Sequence, residues 1–440
     1  MSRAWVVVDL AFGDAGKGTI TDFLVRDTGA KLVVRWNGGA QAGHTVVTDD
    51  GRAHTFSQFG AGTFVPGLHT HLAETVVVHP SALLVEARHL EKVGVNDALE
   101  RLTIAESARI ITPFHQAANR ARELLRGAAR HGSCGVGVGE TVRDGLEHPN
   151  EMLQARDLRE NTRLHKQLER TRERLGASLH EEFAVLGEAH PELRIFTDPD
   201  ITQRWIDFVQ PISKNIVPDA WLSAWKEDIV LEGAQGILLD ESVGFHPHTT
   251  WSDCTTTAAN RLLQTHGFSG EIKRLGVLRT YLTRHGEGPF PTEEAALKPS
   301  LPEPHNSSES WQGNFRIGYP DMVLARYAIR VSGGVDALVL THLDRLSAIT
   351  HISAAYNDAA DPRLFRHNTK NQAIDLQEGD LDQQARLTNA LRGVEPILKP
   401  TAPNEEEFLE YLESELLTPI SLTSAGPTAA QKCWRRMLGD

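Results

Sequence analysis

Cysteine is scarce in this chain of 440 residues, and the three that occur are Cys134, Cys254 and Cys433. They are odd in number and far apart, which argues against a disulfide framework and against a structural zinc site. Long apolar runs are missing as well: the first is interrupted at Asp9, and no later one approaches the roughly 20 residues of a membrane-spanning helix. The N-terminal run is also too short for a signal peptide, so we expect a cytoplasmic protein without a membrane partner.

An excess of positive charge is missing too. The chain has 45 Lys and Arg against 58 Asp and Glu, which gives a formal net charge of −13. This argues against a protein that holds nucleic acid through bulk charge, so any phosphate must be bound by backbone amides and a few placed cations. The composition, 40% hydrophobic and 23% charged, is typical of a folded protein rather than a disordered one.

Short β-branched runs recur along the chain, and several are separated by segments with helical periodicity. Because their hydrophobicity is continuous rather than alternating, they predict strands that helices cover on both faces, in an α/β fold with a mostly parallel sheet. The clearest predicted strands are Trp5–Leu10, Lys31–Trp36, Thr75–His79, Asp228–Leu231, Leu275–Leu282, Asp336–Leu340 and Ile420–Thr423. The clearest predicted helices are Pro113–His131, Asp157–Leu175, Asp321–Val331 and Glu405–Leu417, the last capped by Asn404.

We expect one large domain over residues 1–440, with a central sheet flanked by helices. A helical insertion is expected at about 100–225. The stretch Lys298–Ser310 is rich in Pro, Ser and Glu, and it predicts a mobile loop that extends over about 298–318.

The first glycine-rich segment follows the first predicted strand and reads Gly13-Asp-Ala-Gly-Lys-Gly18. A strand, a glycine-rich turn and a helix N-terminus together favour anion binding, because small residues let backbone N–H groups approach phosphate oxygens. Lys17 would add a positive charge. A structural turn that merely contains a lysine remains the alternative interpretation of this segment alone.

A second glycine-rich segment, Trp36–Thr45, follows the second predicted strand and contains His44. If the two strands are adjacent, their loops meet above one edge of the sheet, where open α/β sheets bind ligands. His44 alone could be a packed histidine. Beside a phosphate-binding loop it becomes a candidate for stabilising charge on a transferring phosphoryl group.

Two further strands also end in polar segments, Glu232–Gly236 and Thr341–Asp344. Asp344 resembles the guanine-reading carboxylate of GTP-binding proteins, which accepts hydrogen bonds from guanine N1–H and the N2 amine. Four residues are a short match, and they leave other interpretations open.

Taken in order, these motifs resemble the adenylosuccinate synthetase family. The resemblance covers about residues 4–430 and rests on six segments: Gly13–Gly18, Ala42–Thr45, Glu232–Gly236, Thr283–Glu293, Leu340–Asp344 and Ser424–Pro427. It implies an α/β fold related to P-loop NTPases. It also implies a homodimeric ligase that uses GTP and Mg²⁺ to phosphorylate the 6-oxo group of a purine nucleotide such as inosine monophosphate, and then replaces that group with an amine, L-aspartate in the family.

The resemblance assigns roles to individual residues. Asp14 matches the base that removes the N1 proton of inosine monophosphate, and His44 and Gln235 complete the implied catalytic set. Asp14 and the backbone oxygen of Gly43 match the Mg²⁺ ligands. The implied GTP-binding residues are Gly13, Gly16, Lys17, Gly18, His342, Asp344, Ser424 and Gly426. The implied acceptor-binding residues are Gln41, Ser133, Cys134, Gln235, Leu239 and Thr250.

The chain departs from the family pattern in both substrate pockets. In the acceptor pocket, Gln41 replaces an asparagine, Ser133-Cys134 replaces a pair of threonines, and Val136 replaces an arginine. The loop expected to bind the amine donor contains Trp311, Gln312 and Arg316. The family has two more arginines there, at the positions of Gly313 and Phe315.

An arginine that donates two parallel N–H hydrogen bonds to a carboxylate makes a strong interaction. The loss of such arginines from the loop makes L-aspartate doubtful as the amine donor. Three functions therefore stay open from the sequence. The chain could be a ligase with the family's own reaction, or a member with another acceptor or amine, in modified-purine or specialised metabolism. It could also be a regulatory protein that binds GTP without turnover.

Overall fold

A ten-stranded sheet forms the centre of the fold in the computed structural model, which describes residues 2–127, 132–303, 306, 311, 313–357, 364–367, 372–374, 380–402 and 404–438. The strands are β1 (Arg3–Asp9), β2 (Leu32–Arg35), β3 (His44–Val47), β4 (Ala53–Phe56), β5 (His69–Leu72), β6 (Val77–Val78), β7 (Leu102–Ala105), β8 (Arg109–Ile110), β9 (Ile216–Val217), β10 (Ile229–Glu232), β11 (Glu271–Arg279), β12 (Leu282–His285), β13 (Phe315–Gly318), β14 (Ala337–Thr341), β15 (His351–Asn357), β16 (Phe365–His367), β17 (Gln372–Ile374), β18 (Glu395–Pro400), β19 (Ile420–Ser424) and β20 (Lys432–Trp434). The helices are α1 (Lys17–Thr28), α2 (Pro80–Lys92), α3 (Pro113–Arg126), α4 (Val138–Glu147), α5 (Asn161–Ala177), α6 (His180–Leu186), α7 (Pro191–Thr197), α8 (Ile201–Val209), α9 (Thr256–Thr265), α10 (Met322–Val331), α11 (Leu381–Gly393) and α12 (Glu405–Leu416).

The order of strands in the sheet is β20-β19-β14-β11-β1-β10-β2-β5-β7-β9, and every neighbouring pair is parallel except the edge pair β19–β20. The central strands are buried along nearly their whole length, as their continuous apolar sequences predict. The predicted α/β class with a mostly parallel sheet flanked by helices is therefore confirmed.

Six neighbouring strands, β19-β14-β11-β1-β10-β2, bring the sequence motifs together. Because these strands are parallel, their carboxyl ends lie at one edge of the sheet, and the chain segments that follow them share that edge. This is why motifs that are far apart in sequence lie side by side in the fold.

Two strand predictions need correction, and the adjacency considered for the first two strands is not found. The strands β1 and β2 are not adjacent, because β10 lies between them. The predicted strand Leu275–Leu282 breaks at Thr280, whose hydroxyl donates to the carbonyl oxygen of His342 at 2.8 Å, and the chain then enters β12, which pairs with β13. The run Thr75–His79 yields only the two-residue β6, which pairs with β8 outside the large sheet.

The segment between β7 and β9 carries α3 to α8, over the range where the sequence predicts a helical insertion. Of the predicted long helix Asp157–Leu175, the first part is a separate 3-10 turn, Ala155–Arg159, and α5 begins at Asn161. Residues 128–131, the end of the predicted helix Pro113–His131, lie outside the described residues.

The last predicted helix is confirmed in detail. Asn404 caps α12 by accepting a hydrogen bond from the backbone N–H of Glu407 at 3.0 Å, and three glutamates occupy the first turn. Its apolar face packs into the core through Phe408, Leu409, Leu412 and Leu416.

Within the part of the chain that the structure describes, no helix is long and apolar enough to cross a membrane.

We predict that His71 makes the stability of the fold depend on pH. Its ring stacks on Trp221 at 5.0 Å between centroids, Nδ1 is 2.9 Å from the hydroxyl of Thr103, and burial lowers the pKa of His71 to about 3. Because this pKa lies below the roughly 6.5 of an unfolded histidine, the stabilisation is present above pH 6.5 and is lost as the pH falls. At pH 5 the loss amounts to about 2 kcal/mol.

Urea unfolding at pH 7.5 and pH 5 measures this loss in the native chain and in His71→Gln, which cannot titrate. The native chain should lose about 2 kcal/mol more than the variant between the two pH values. His180→Gln, on an exposed helix, serves as the matched control and should behave like the native chain. Equal losses in the native chain and His71→Gln would contradict the assignment.

Candidate active site

A cavity of about 1300 Å³ opens at the carboxyl edge of the sheet, above the six strands that carry the motifs. The predicted site residues that line it are Gly13, Asp14, Gly16, Lys17, Gly18, Gln41, Gly43, His44, Ser133, Cys134, Gln235, Leu239, Thr250, His342, Asp344, Ser424 and Gly426. All the predicted site residues except those of the donor loop therefore line this one cavity.

The first loop is organised by Asp9, the last residue of β1, which is buried. Its Oδ1 accepts from the backbone N–H groups of Ala11 at 2.9 Å and Gly13 at 3.3 Å, and its Oδ2 accepts from the N–H of Ala15 at 2.9 Å. The same Oδ2 pairs with the Lys17 ammonium at 3.0 Å. This carboxylate thus fixes the loop and holds the buried lysine at the N-terminus of α1.

Asp14 projects from this loop in the left-handed backbone region, with φ of 60°. Such a conformation is strained for a residue other than glycine, and it often occurs at functional sites. Its Oδ2 accepts a hydrogen bond from His285 Nε2 at 3.0 Å. Desolvation raises the pKa of the Asp14 carboxyl, but the hydrogen bond and charge of His285 together with the charges of Arg279 and Lys17 outweigh it, so the net pKa is lowered. Asp14 is therefore ionised and able to accept a proton.

His44 begins β3 and is buried against Glu232, the last residue of β10. Nδ1 of His44 lies 2.5 Å from Glu232 Oε1, while Oε2 accepts from the backbone N–H of Ala61 at 2.9 Å. Burial lowers the pKa of His44, and Glu232 opposes that shift only in part. The pairing fixes the ring and leaves Nε2 as the nitrogen that can serve a ligand.

Two amide side chains that line the cavity carry buried polar atoms without partners among the described residues. They are both polar atoms of the Gln235 amide and Oε1 of Gln41. Gln235 also has a left-handed backbone, with φ of 57°, and it packs against Gly38, where an added Cβ would lie 2.6 Å from Oε1. Because buried polar atoms of folded proteins are nearly always satisfied and both side chains line the cavity, these amides are candidate ligand-binding groups.

Ser133 and Cys134 also line the cavity. The Ser133 hydroxyl exchanges hydrogen bonds with the Asn119 amide at 3.0 and 3.2 Å. Desolvation raises the pKa of the Cys134 thiol to about 11, so it is a neutral group at ordinary pH.

The opposite end of the cavity is formed by the loops after β14 and β19. His342 takes the left-handed conformation, with φ of 60°, and Asp344 follows it at the surface, where it pairs with Arg345 at 3.1 Å. The loop that begins at Ser424 is held by Lys432, whose ammonium donates to the carbonyl oxygens of Gly426 at 2.9 Å and Thr428 at 2.8 Å.

Trp311 and Arg316, two residues of the predicted donor loop, are not part of the cavity wall in this structure. Arg316, in β13, does not line the cavity, because its guanidinium binds the carbonyl oxygens of Gly286 and Gly288 and the carboxylate of Glu293. Trp311 packs against Gly135, just after Ser133 and Cys134, and its ring centroid lies 5.5 Å from the guanidinium carbon of Arg120. Gln312 lies outside the described residues.

Four further residues of the site have no role assigned from the sequence. Asp9 and Glu232 are carboxylates at the carboxyl ends of their strands, and this position in the sequence could have identified them as site residues. His285 lies in a recognised motif, but only the fold shows that it reaches Asp14. Arg279, buried at the end of β11, also contacts this loop by donating to the carbonyl oxygen of Asp14 at 3.0 Å.

Comparison with known sequences gives one family. The sequence profile of adenylosuccinate synthetase matches residues 6–433. The adenylosuccinate synthetase of Salinibacter ruber is 32% identical over 97% of this chain and 97% of its own length. That of Acaryochloris marina is also 32% identical, over 96% of this chain and 92% of its own length.

Solved structures show the same fold at lower identity. The fully ligated adenylosuccinate synthetase of Plasmodium falciparum aligns with a TM-score of 0.76 at 20% identity, over 98% of this chain and 99% of its own. The succinoaminodeoxyadenylate synthetase of cyanophage S-2L, solved with dGMP and with dATP as an energy donor, aligns with a TM-score of 0.59 at 18% identity, over 99% and 96% of the two chains.

The likeness thus spans nearly the whole length of this chain and of its relatives. The motifs that carry it line one cavity at one edge of the sheet. The chain belongs to the adenylosuccinate synthetase family of GTP-dependent ligases, which form carbon–nitrogen bonds.

Proposed function

We propose that this protein phosphorylates the 6-oxo group of a purine nucleotide with GTP and then replaces that group with an amine. The observation that carries the proposal is that Asp14, Lys17, His44, Gln235 and Asp344 all line one cavity. A single site can therefore hold a triphosphate, an acceptor base and the groups that move protons between them.

The triphosphate is expected to lie along the first loop. Backbone N–H groups at the N-terminus of α1, together with Lys17, favour phosphate oxygens. Asp344 would read the guanine by accepting from N1–H and the N2 amine, and the loop Ser424–Pro427 would pack against the base. Thr19, near the N-terminus of α1, connects the first loop to the loop Ser424–Pro427, since its hydroxyl donates to the Pro427 carbonyl oxygen at 2.8 Å.

Asp14 is proposed to take the N1 proton of the acceptor as its O6 attacks the γ-phosphorus. A lactam oxygen is a poor leaving group, whereas the phosphate formed on it departs readily when the amine attacks C6. The lowered pKa of Asp14 keeps the carboxylate ionised, and the hydrogen bond from His285 fixes its orientation. General-base assistance of this kind typically contributes about 10²–10⁴-fold in rate.

His44 is proposed to stabilise negative charge on the transferring phosphoryl group. Glu232 fixes the ring, and the phosphate oxygens of a bound nucleotide would add negative charge that favours the protonated imidazole. Gln235 and Gln41 would bind the acceptor with their unpaired amide atoms, beside Ser133, Cys134, Leu239 and Thr250.

The residues present fit Mg²⁺ as a cofactor. Asp14 and Gly43 both line the cavity, and a carboxylate with a backbone carbonyl offers the hard oxygen ligands that Mg²⁺ prefers. Among the described residues no group of three or more His, Cys, Asp or Glu side chains could hold a metal, which suits an ion whose remaining ligands are phosphate oxygens and water. When bound, the ion would neutralise charge on the β- and γ-phosphates.

A homodimer and a cytoplasmic location remain predictions from the resemblance and the sequence.

Phosphate release tests the proposal. The purified protein is incubated with GTP, Mg²⁺ and inosine monophosphate, with and without a panel of amines, and phosphate and the substituted purine are measured. Release that requires both acceptor and amine supports the ligase. Tight GTP binding without phosphate release under any combination would instead support a regulatory protein.

We predict that Gly236→Ala disrupts the triphosphate site. A Cβ at this position would lie 2.2 Å from the Ala11 carbonyl oxygen and 2.5 Å from the Gly13 nitrogen, both backbone atoms of the first loop. The loop must shift, which typically costs about 1–3 kcal/mol. We expect GTP affinity to fall by at least about 10-fold, a loss of the same order.

Isothermal titration with GTP measures this loss. Gly393→Ala is the control, because nothing lies within 4 Å of a Cβ there. Unchanged GTP affinity in Gly236→Ala would show that the first loop does not hold the nucleotide.

A further inference from the structure

The loop that follows β19, here called the base loop (Ser424–Pro427), is shaped by contacts with the residues that lead into β20. Ser424 and Lys432 lie opposite each other in the β19–β20 pair, so the chain reverses tightly between them. An added Cβ at Gly426 would lie 2.3 Å from the side-chain amide of Gln431, because the two sides of the reversal pack closely. Residues of the base loop line the cavity, and this loop is expected to pack against the guanine of GTP.

A single side chain binds two carbonyl groups of this reversal. The ammonium of Lys432 donates to the carbonyl oxygen of Gly426 at 2.9 Å and to that of Thr428 at 2.8 Å. Pro427 lies between them and has no N–H to donate, while its carbonyl oxygen accepts from the hydroxyl of Thr19 at 2.8 Å. The base loop therefore depends on side-chain donors for its shape, and the hydrogen bonds from Lys432 are strengthened by its charge.

Lys432 acts from behind the base loop. It is 7% exposed and is not among the described residues that form the cavity wall, so it does not touch a nucleotide bound there. Burial lowers the pKa of Lys432 to about 8, although nearby carboxylates oppose the shift. The titratable groups that act on Lys432, or on which it acts, are Asp22 of α1, Asp49 of the turn after β3, and His342 and Asp344 of the loop after β14.

The strand that carries Lys432 is anchored independently of the base loop. Trp434 packs on Phe23 of α1 with ring centroids 5.9 Å apart, and its Nε1 donates to Asp27 of the same helix at 2.9 Å. Because the N-terminus of α1 is expected to bind the triphosphate, β20 joins the base loop to the helix of the phosphate site. We expect β20 to keep its place when the side chain of Lys432 is changed.

We propose that Lys432 is a positioning residue of the GTP site, which holds the base loop in the shape that receives guanine, and that β20 is thereby part of this site. This inference rests on the proposed function, in which the base loop packs against guanine. Lys432 acts on the binding of the base and not on phosphoryl transfer. A change at Lys432 should therefore weaken GTP binding through the base and leave the triphosphate subsite intact.

Lys432→Met tests this inference, because methionine has nearly the bulk of lysine without the ammonium. Both carbonyl oxygens keep one uncharged donor at 3.1 Å, so the loop should persist in a less defined shape. Isothermal titration should show GTP affinity at least about 10-fold lower, a loss typical of removing hydrogen bonds from a charged donor. Inorganic tripolyphosphate, which has no base, should bind as it does to the native chain. Cys433→Ser, at the exposed next position of β20, is the control and should change neither affinity.

Lys432→Arg gives a second readout, through the dependence of GTP binding on pH. Because the pKa of Lys432 is about 8, the native ammonium loses its proton as the pH rises through this value. GTP affinity should fall by about 10-fold between pH 7 and pH 9, as the protonated fraction falls from about nine-tenths to about one-tenth. Arginine stays charged over this range, so Lys432→Arg should bind GTP nearly as well as the native chain at pH 7 and should lack this fall. Any titration of guanine itself acts on both chains alike.

The outcomes separate this inference from the proposed function. Unchanged GTP affinity in Lys432→Met, or equal weakening of GTP and tripolyphosphate, would overturn the inference alone, since the native chain still binds GTP. The same pH dependence in the native chain and in Lys432→Arg would overturn it as well. A native chain that binds no GTP at either pH would overturn the proposed function and the inference with it.

Discussion

Asp14→Asn is expected to lower GTP-dependent turnover by about 10²–10⁴-fold while leaving GTP bound. The amide keeps the size of the carboxylate, but it cannot take the N1 proton of the acceptor. The backbone contacts that hold the first loop come from Asp9, so the loop should survive the change. Steady-state kinetics and GTP titration on the same preparation measure the two effects separately.

The control for this prediction is Asp49→Asn, an exposed aspartate in the turn after β3. It should retain native kcat and native GTP affinity. Turnover that survives in Asp14→Asn would contradict the role of Asp14 as the base. Loss of GTP affinity equal to the loss of turnover would instead assign Asp14 a role in nucleotide binding.

Asp344→Asn is expected to weaken GTP binding by about 100-fold and to shift preference towards xanthosine triphosphate. A carboxylate accepts two hydrogen bonds from guanine, and each hydrogen bond to a charged group contributes about 1.5–3 kcal/mol. Asparagine still accepts from N1–H, but its NH₂ group faces the guanine N2 amine, another donor. Xanthine carries an oxygen at that position, which accepts from the asparagine amide.

Competition titration with the triphosphates of guanosine, xanthosine and adenosine tests this prediction. Adenosine triphosphate should gain nothing, because its base offers no N1–H. Equal weakening for all three would show that Asp344 supports the loop, where it pairs with Arg345, rather than reading the base.

The fold class could be predicted because β1, β10, β14 and β19 are buried on both faces and therefore have continuous apolar sequences. Strand order could not be predicted, since nothing local to β10 shows that it inserts between β1 and β2. The break at Thr280 was missed for a related reason. Its hydrogen bond to His342 joins residues 62 positions apart, and apolar periodicity continues across it.

The glycine-rich loops of the site could be found from sequence because backbone geometry demands particular residues. The charged residues that pair with His44 and Asp14 could not be found from the sequence. His44 meets Glu232 across 188 positions and Asp14 meets His285 across 271, and only the strand order brings these pairs together. The donor loop shows the same limit: the sequence places Arg316 in that loop, but it does not show that the carbonyl oxygens of Gly286 and Gly288 and the carboxylate of Glu293 bind its guanidinium.

The most direct test of the account is the fate of the acceptor's own oxygen. Inosine monophosphate labelled with oxygen-18 at C6 is converted with GTP, Mg²⁺ and the active amine, and the released phosphate is analysed by mass spectrometry. If O6 attacks the γ-phosphate and then leaves with it, each phosphate released in the coupled reaction carries one labelled oxygen. Unlabelled phosphate would mean that water attacks GTP, and it would contradict the ligase mechanism proposed for this site.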